Sequence, residues 1–267
     1  MQTNTVLSVA DRLERLNNYD VNSDQVVLAP RSFAGVTAFD VEQPDQAAIV
    51  GEAIIAFVSG MSEQNQADVR NTYLFATLVA NQEHPLERDG EKWYKTFLEV
   101  MQDCGWTILR GYYDSTKASG KSFTMDQLAL TILGSAAAAA ALPGPTSALM
   151  LKVATDAISS LQSSEQPLQV FDRNVKNKAN GGFAVGSCLE TPGKEVILTM
   201  GAVRFINRIN QTKVLFVNWD SSSVDLYKGE SHMTMVPFII AKTRDIIAGK
   251  LGERAVTNVS KWALKLK

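Results

Sequence analysis

The 267-residue chain reads as an α+β protein: an antiparallel β-meander of about five to six strands packed by helices from the N-terminal half and the C-terminus, a layered α/β sandwich. Three observations predict it. Apolar residues recur mainly at helical spacing as far as about residue 162, and helical spacing returns after residue 234. Between 166 and 230 the apolar runs are short and are split by turn-forming residues. The helices thus precede and follow the strands instead of alternating with them, which separates α+β from α/β. With 45% hydrophobic and 20% charged residues, a chain of this length can build a core without disulfides or metal.

Val6, Leu7, Ala10, Leu13 and Leu16 give a short amphipathic N-terminal helix, followed by extended stretches at 25–28 and around Val36. Pro44, at a first helical position, opens a predicted helix over 45–60 carrying Ile49, Val50, Ile54, Ile55 and Val58. Ser62 caps a third helix to about Asn81, with Glu63 in its first turn. Asn65 stands where a capping box needs Glu or Gln, and His84-Pro85 ends the helix. A fourth helix, 89–103, presents Trp93, Tyr94, Phe97, Leu98 and Met101 on one side, and 106–113 alternates as a strand. Asp126 caps a helix running through six alanines to Leu142. Pro143-Gly144-Pro145 stops it, and a second arm continues to about Leu161. Strands are predicted at 168–175, 182–189, 195–206, 213–219 and 224–227, and their short connections favour antiparallel pairing. Helix resumes at 236–251 and continues over 253–264. The chain is expected to be a single domain: 1–125 mainly helical with one or two strands, 126–162 an apolar helical hairpin, 166–230 the meander and 234–267 a basic C-terminal helix.

A net charge of −2 argues against nucleic acid as a partner. Residues 236–267 carry +5 and the rest −7. Such a tail can steer towards anionic lipid or RNA, or form the solvated face of a helix packed on an acidic body. Met1-Gln2-Thr3-Asn4 lacks the basic and apolar regions of a secretory signal. The expected location is therefore cytoplasmic as synthesised, with release by lysis or a signal-independent route left open. Cys104 and Cys188 lie 84 residues apart with no zinc spacing, His232 has no partner at ligand spacing, and no phosphate-binding, dinucleotide or hydrolase motif occurs. No metal or cofactor is implied by the residues themselves.

Two features remain as candidates. No ionisable residue occurs between Asp126 and Lys152, so Ala136, Ala137, Ala138, Ala139, Ala140, Ala141 and Leu142 are candidate membrane or cavity contacts. The first arm, about 16 residues and roughly 24 Å long, falls short of the ~30 Å hydrocarbon core. Close packing against the sheet is the competing use of its small residues. Cys188 is flanked by Gly181, Gly182 and Gly186, which leave room for an S-acyl group, and the competing reading is an inert buried thiol. Cys104 with His84 would sit at opposite ends of one helix, and a thiolate at a helix C-terminus is disfavoured. Asp172-Arg173 with Lys176 and Lys178 reads as the charged face of a strand.

Trp93-Tyr94 with Phe97, the closing Gly105-Trp106, the small-residue hairpin, Phe171-Asp172-Arg173 and Val214-Leu215-Phe216-Val217-Asn218-Trp219 before a serine turn together resemble a family of largely uncharacterised bacterial proteins allied to the Erwinia virulence factor group. The resemblance covers about the last two thirds of the chain. It implies a non-enzymatic virulence or gut-persistence protein of layered α/β fold in which a cysteine carries palmitate inside an apolar cavity. Cys188 would be that lipid-attachment residue, with Cys104 as rival. Cytolytic insecticidal toxins are similar in layout alone. The expected function is accordingly a non-enzymatic, toxin-like or virulence-associated activity at a lipid, membrane or host interface, with membrane lipid or a host factor as partner. A scaffold domain binding another protein is the alternative, and a cysteine-dependent hydrolase or transferase is a third.

Overall fold

The computed structural model describes residues 7–21, 32–34, 46–84, 89–118, 120–142, 144–175, 180–207 and 213–265. The expected extended stretches at 25–28 and around Val36 lie outside them. The elements in order are α1 (Val9–Asn18), β1 (Ser32–Ala34), β2 (Gln46–Val50), β3 (Ala53–Phe57), α2 (Glu63–Glu83), α3 (Gly90–Cys104), β4 (Trp106–Thr116), β5 (Ser122–Thr124), α4 (Met125–Ala139), α5 (Thr146–Gln162), α6 (Glu165–Val175), β6 (Asn180–Glu190), β7 (Val196–Asn207), β8 (Asn218–Asp220), β9 (Val224–Met235) and α7 (Pro237–Lys265).

The fold is α+β. Seven strands form one sheet in the order β1-β2-β3-β6-β7-β9-β4, and β5 pairs with β8 in a small second sheet. All neighbours in the large sheet are antiparallel except β3 and β6, which run parallel. The expected meander is therefore β6-β7-β9. It is extended on one side by β4 and joined on the other to the β1-β2-β3 unit through the parallel pair.

Period-two alternation sends successive side chains to opposite faces. Ala48, Val50, Ala53, Ile55, Phe57, Ala184, Cys188, Leu198, Met200 and Met233 share one core with residues of α1, α2, α3 and α7. Ala47, Ile49, Ile54, Ala56, Phe183, Val185, Val203, Phe205 and Leu226 share the other with α4, α5 and α6. The molecule is a helix–sheet–helix sandwich.

Several predicted elements change identity. Residues 46–57 are not a helix but the β2–β3 hairpin, turning at Gly51 with φ 60°. All five residues of β3 are buried, and a run buried on both faces carries no alternation to distinguish it from a core helix. Residues 168–175 belong to helix α6, not to a strand, so Asp172 and Arg173 lie on a helix; Lys176 and Lys178 are outside the described residues. Leu168, Phe171 and Val175 hold the i, i+3, i+7 spacing of a helix face, with Pro167 in the first turn. The segment 213–219 is mainly a turn, tied by the Trp219 indole N–H donating to the Val214 carbonyl (3.1 Å), and only its end enters β8. Asp126 does not cap α4. It sits in the first turn and accepts from the Phe216 N–H at 3.2 Å, fastening that segment over the helix start.

Other local expectations hold. Ser62 accepts from the Asn65 N–H (3.3 Å) at the start of α2. The carboxylate missing from its capping box comes from another element: Glu190, at the end of β6, accepts from the Ser62 N–H (3.0 Å) and the Asn65 amide (2.9 Å). The fourth predicted helix is α3, which ends at Gly105 with φ 117°, and Asp89, not singled out in the sequence, caps its start.

Candidate functional site

Side chains of β6, β7, β9 and β4 stand in rows across the face that carries α2 and α3. One row is Ala184, Ala202, Gly229 and Tyr113, and the next is Gly186, Met200, Ser231 and Gly111. On the other side of the first row comes Gly182, Arg204, Tyr227 and Ser115. Over three adjacent strands the first row offers nothing larger than a methyl group. The helices cannot descend to fill the gap because α3 carries large rings there. Trp93, Tyr94 and Phe97 project from it, and Tyr73 from α2 meets Phe97 edge-on, with ring centroids 5.1 Å apart. Trp93 stacks on Phe97 at 5.4 Å, its indole N–H donating to Asn81 at 2.6 Å. The result is a cavity of about 40 Å³, counted as the space open to the centre of a water-sized sphere. Its walls are Tyr73, Trp93, Tyr94 and Phe97, and its floor is Ala184, Ala202 and Gly229.

Its polar lining residues are Glu52, Arg204, Ser231 and the tyrosines Tyr73, Tyr94 and Tyr113. Tyr94 and Ser231 are 6% and 1% exposed, and Tyr113 is half-buried. All three line the cavity, and the hydroxyl oxygen of each is buried with no hydrogen-bond partner of good geometry. Burial pushes the Tyr94 phenol up, and the nearby Glu230 carboxylate adds to this while the approach of the Ser231 hydroxyl opposes it. Tyr113 is likewise raised by burial, with the Arg204 guanidinium pulling it back. Both phenols are therefore neutral donors at physiological pH. Arg204 closes one end, stacked over Tyr227 at 5.2 Å, and Gly90 gives it room. A methyl group at Gly90 would collide with both the Arg204 Cδ and the Tyr113 hydroxyl.

The residues singled out in the sequence lie elsewhere. Cys188 points to the same face as the floor but four residues beyond Ala184, roughly 13 Å along the strand, and is absent from the cavity lining. It is fully buried beside Phe57 and Leu198, and burial drives its thiol well up, away from the nucleophilic thiolate. Cys104, also fully buried, is raised by desolvation first and by Asp103 second. The hairpin is on the opposite face of the sheet. Ala136 and Ala137 are buried, Ala138, Ala139 and Ala141 are exposed, Ala140 is intermediate, and Leu142 packs against the Met150–Leu189–Ile197 group. None of the seven touches the aromatic cavity. His232 bonds to Thr199 at 2.9 Å, and no group of three or more metal-ligating side chains occurs among the described residues. No helix among them is long and apolar enough to cross a membrane.

The sequence did carry one trace of the cavity. Gly182, Ala184 and Gly186 are small residues at period two, on a strand whose neighbour brings Ala202. Reading them as a floor needs the register of three strands, which only the pairing supplies.

No family model matches the chain, and no curated protein matches it in sequence. Among solved structures, that of the Evf virulence factor is similar over 90% of this chain and 88% of that one, at 8% identity and a TM-score of 0.30. The likeness is loose and structural, with no family shown at the level of sequence.

Proposed function

We propose that this chain is a non-enzymatic binding protein that encloses a small, mainly apolar guest between α3 and the sheet, and that lipid contact is made by taking a guest into this cavity rather than by inserting the hairpin. The observation that carries the reading is the convergence of the buried hydroxyls of Tyr94, Ser231 and Tyr113 on a small cavity bordered by Ala and Gly. Leaving a buried polar group unsatisfied costs about 1–3 kcal/mol, so hydroxyls whose neighbours, Ser231 for Tyr94 and Arg204 for Tyr113, are poorly placed gain from a guest that supplies a better partner. The volume suits a few waters at ~10–15 Å³ each by the same measure, or the leading end of a larger molecule.

A screen of small apolar fragments by ligand-observed NMR tests this. Hits are expected with the native chain and lost in Ala202→Leu, whose side chain fills the floor. A screen yielding no fragment that distinguishes the two proteins refutes the reading. Covalent acylation of Cys188 is a separate reading without support from the buried, protonated thiol. Intact mass of protein from its native host is expected to equal that of the unmodified chain, and an added acyl mass lost in Cys188→Ser would reverse that judgement.

A further inference from the structure

We propose that the free edge of β4 is an interface for a second copy of this chain, the two β4 strands pairing antiparallel about Tyr112 so that one sheet runs through both molecules; this stands apart from the binding reading above. β4 ends the large sheet, and among the described residues β9 is its neighbour on one side alone. Leu109, Arg110, Gly111, Tyr112 and Asp114 are exposed along it. Glycine has no side chain, so the exposure of Gly111 is exposure of the strand backbone itself. Single edge strands are commonly blunted by Lys, Pro or short length. The 11 residues of β4 hold neither Lys nor Pro, and the irregularity between Ile108 and Arg110 leaves the stretch from Arg110 to Thr116 in regular pairing. Leu109 and Tyr112 are also two of the four exposed large hydrophobic side chains among the described residues, which places apolar surface on this edge.

The charges on the strand name the occupant. Period two puts Arg110, Tyr112 and Asp114 on one face of the sheet, beside Lys228 and Glu230 of β9. Arg110 and Lys228 reach Glu230 at 3.2 and 2.8 Å, and Asp114 lies directly opposite Lys228. The signs therefore alternate up to the edge. Arg110 and Asp114 stand two residues to either side of Tyr112. When a second β4 pairs antiparallel about Tyr112, Arg110 of each copy falls opposite Asp114 of the other, twice per dimer, with side chains on the same face at about 5 Å between Cβ atoms. The Asp114 carboxylate already accepts from the Tyr112 hydroxyl and the Ser115 N–H, each at 2.7 Å, and a carboxylate has about four acceptor positions. The next registers that keep the faces matched set Arg110 against Tyr112 or Thr116 and lose both charge pairs. The two-fold axis stands perpendicular to the sheet, so each helical layer continues beside its own copy. Assembly closes at the dimer, because the far end of the sheet is the three-residue β1 and not a second strand of this kind.

Sedimentation of the native chain over a range of concentrations is expected to show a monomer–dimer equilibrium that weakens as salt is added. Asp114→Arg, an exposed change that leaves the pairs of Glu230 intact, sets like charges opposite each other twice and is expected to weaken association about tenfold. Arg110→Asp is expected to do the same. Mixed in equal amounts, the two variants restore both opposite-charge pairs, and a heterodimer of native strength is expected. A native chain that stays monomeric overturns the proposal, as does a dimer that neither variant weakens, which would use another surface. Two folded variants whose mixture gains nothing overturn the register and the interface with it. Arg110→Asp takes one cation from the buried Glu230, so its circular dichroism is compared with that of the native chain. Should it not fold, hydrogen exchange in the native chain decides: slower exchange of the β4 amides as concentration rises supports the interface, and unchanged exchange overturns it.

Discussion

Gly201 and Gly229 lie on neighbouring strands, and a methyl group at each meets a different kind of neighbour. At Gly201 a Cβ would be 2.5 Å from the Leu133 backbone nitrogen and 2.8 Å from the Ala129 carbonyl oxygen, so α4 rests its main chain directly on β7. Backbone cannot rotate away, and Gly201→Ala is expected to cost about 2–3 kcal/mol in urea unfolding. At Gly229 the obstacle is the Tyr94 ring, which has the cavity beside it to move into. Gly229→Ala is expected to change stability by less than about 1 kcal/mol yet abolish guest binding, and binding at native strength would show that the ring does not move as argued. Glu190 supplies a pH-dependent prediction. The Ser62 N–H first, then the Asn65 amide and Lys194, lower its carboxyl to about 2 from an ordinary 4.5, with burial opposing. A depressed carboxylate stabilises the fold fully above the unfolded value and loses that contribution as pH falls from about 4.5 towards 2. Glu190→Gln is expected to unfold at about 1–3 kcal/mol less than the native chain at pH 7. The gap between the two urea curves should close between pH 5 and 2; a gap independent of pH would remove the carboxylate from the account. The sequence showed the empty place for this group, at Asn65, but not which residue 125 positions away would fill it.

Among the elements, those with turn residues at both ends were legible: β6, β7 and the start of β9 follow the predicted bounds closely, because Asn180-Gly181-Gly182 and Pro192-Gly193 punctuate them. The hairpin arms were legible for the same reason, and Gly201 shows how closely the main chain of the first arm meets the sheet at Ala129 and Leu133. Residues 46–57 were not legible because burial on both faces erases alternation. The α6 helix was misread although its apolar spacing was helical, since it is short and leads directly into the strands of the sheet. The way α7 joins α2 was also beyond the sequence. Arg244 donates two bonds to Asp68, at 2.8 and 2.7 Å, with the Asp68 side chain 3% exposed and that of Arg244 35% exposed. Bidentate geometry makes this pair stronger than a surface contact. Arg244→Met leaves a nearly buried carboxylate without its cation, and a loss of about 2–3 kcal/mol is expected, somewhat below the fully buried case because solvent reaches the arginine side. Hydrogen exchange should show faster opening of α7 with α4 and α5 unchanged, whereas equal acceleration on both faces of the sheet would mean the pair holds more than one helix.

At the scale of the molecule the two helical layers meet the sheet in unlike ways. On the α4–α5 face, Gly201 brings the α4 main chain down onto the main chain of β7. On the α2–α3 face, aromatic rings of α3 cover the small strand residues instead of helix main chain, the Tyr94 ring directly on Gly229, and a void of about 40 Å³ remains beside them. Small strand residues thus have unlike outcomes according to what covers them, Gly201 meeting the α4 main chain while Ala184, Ala202 and Gly229 lie beneath rings, and their composition alone could not indicate which. The void exists only while α3 and three strands are assembled, so a guest binds the folded chain and not the unfolded one. Linkage then requires a stability gain of RT ln(1 + [L]/Kd), about 1.4 kcal/mol at ten times Kd. A fragment that the NMR screen finds, at that excess, is expected to raise the urea midpoint of the native chain by the corresponding amount. Ala202→Leu, which fills the void with an apolar side chain, is expected to unfold at the native midpoint or above it and to gain nothing from the fragment. A gain of the same size in Ala202→Leu would place the fragment somewhere other than this cavity.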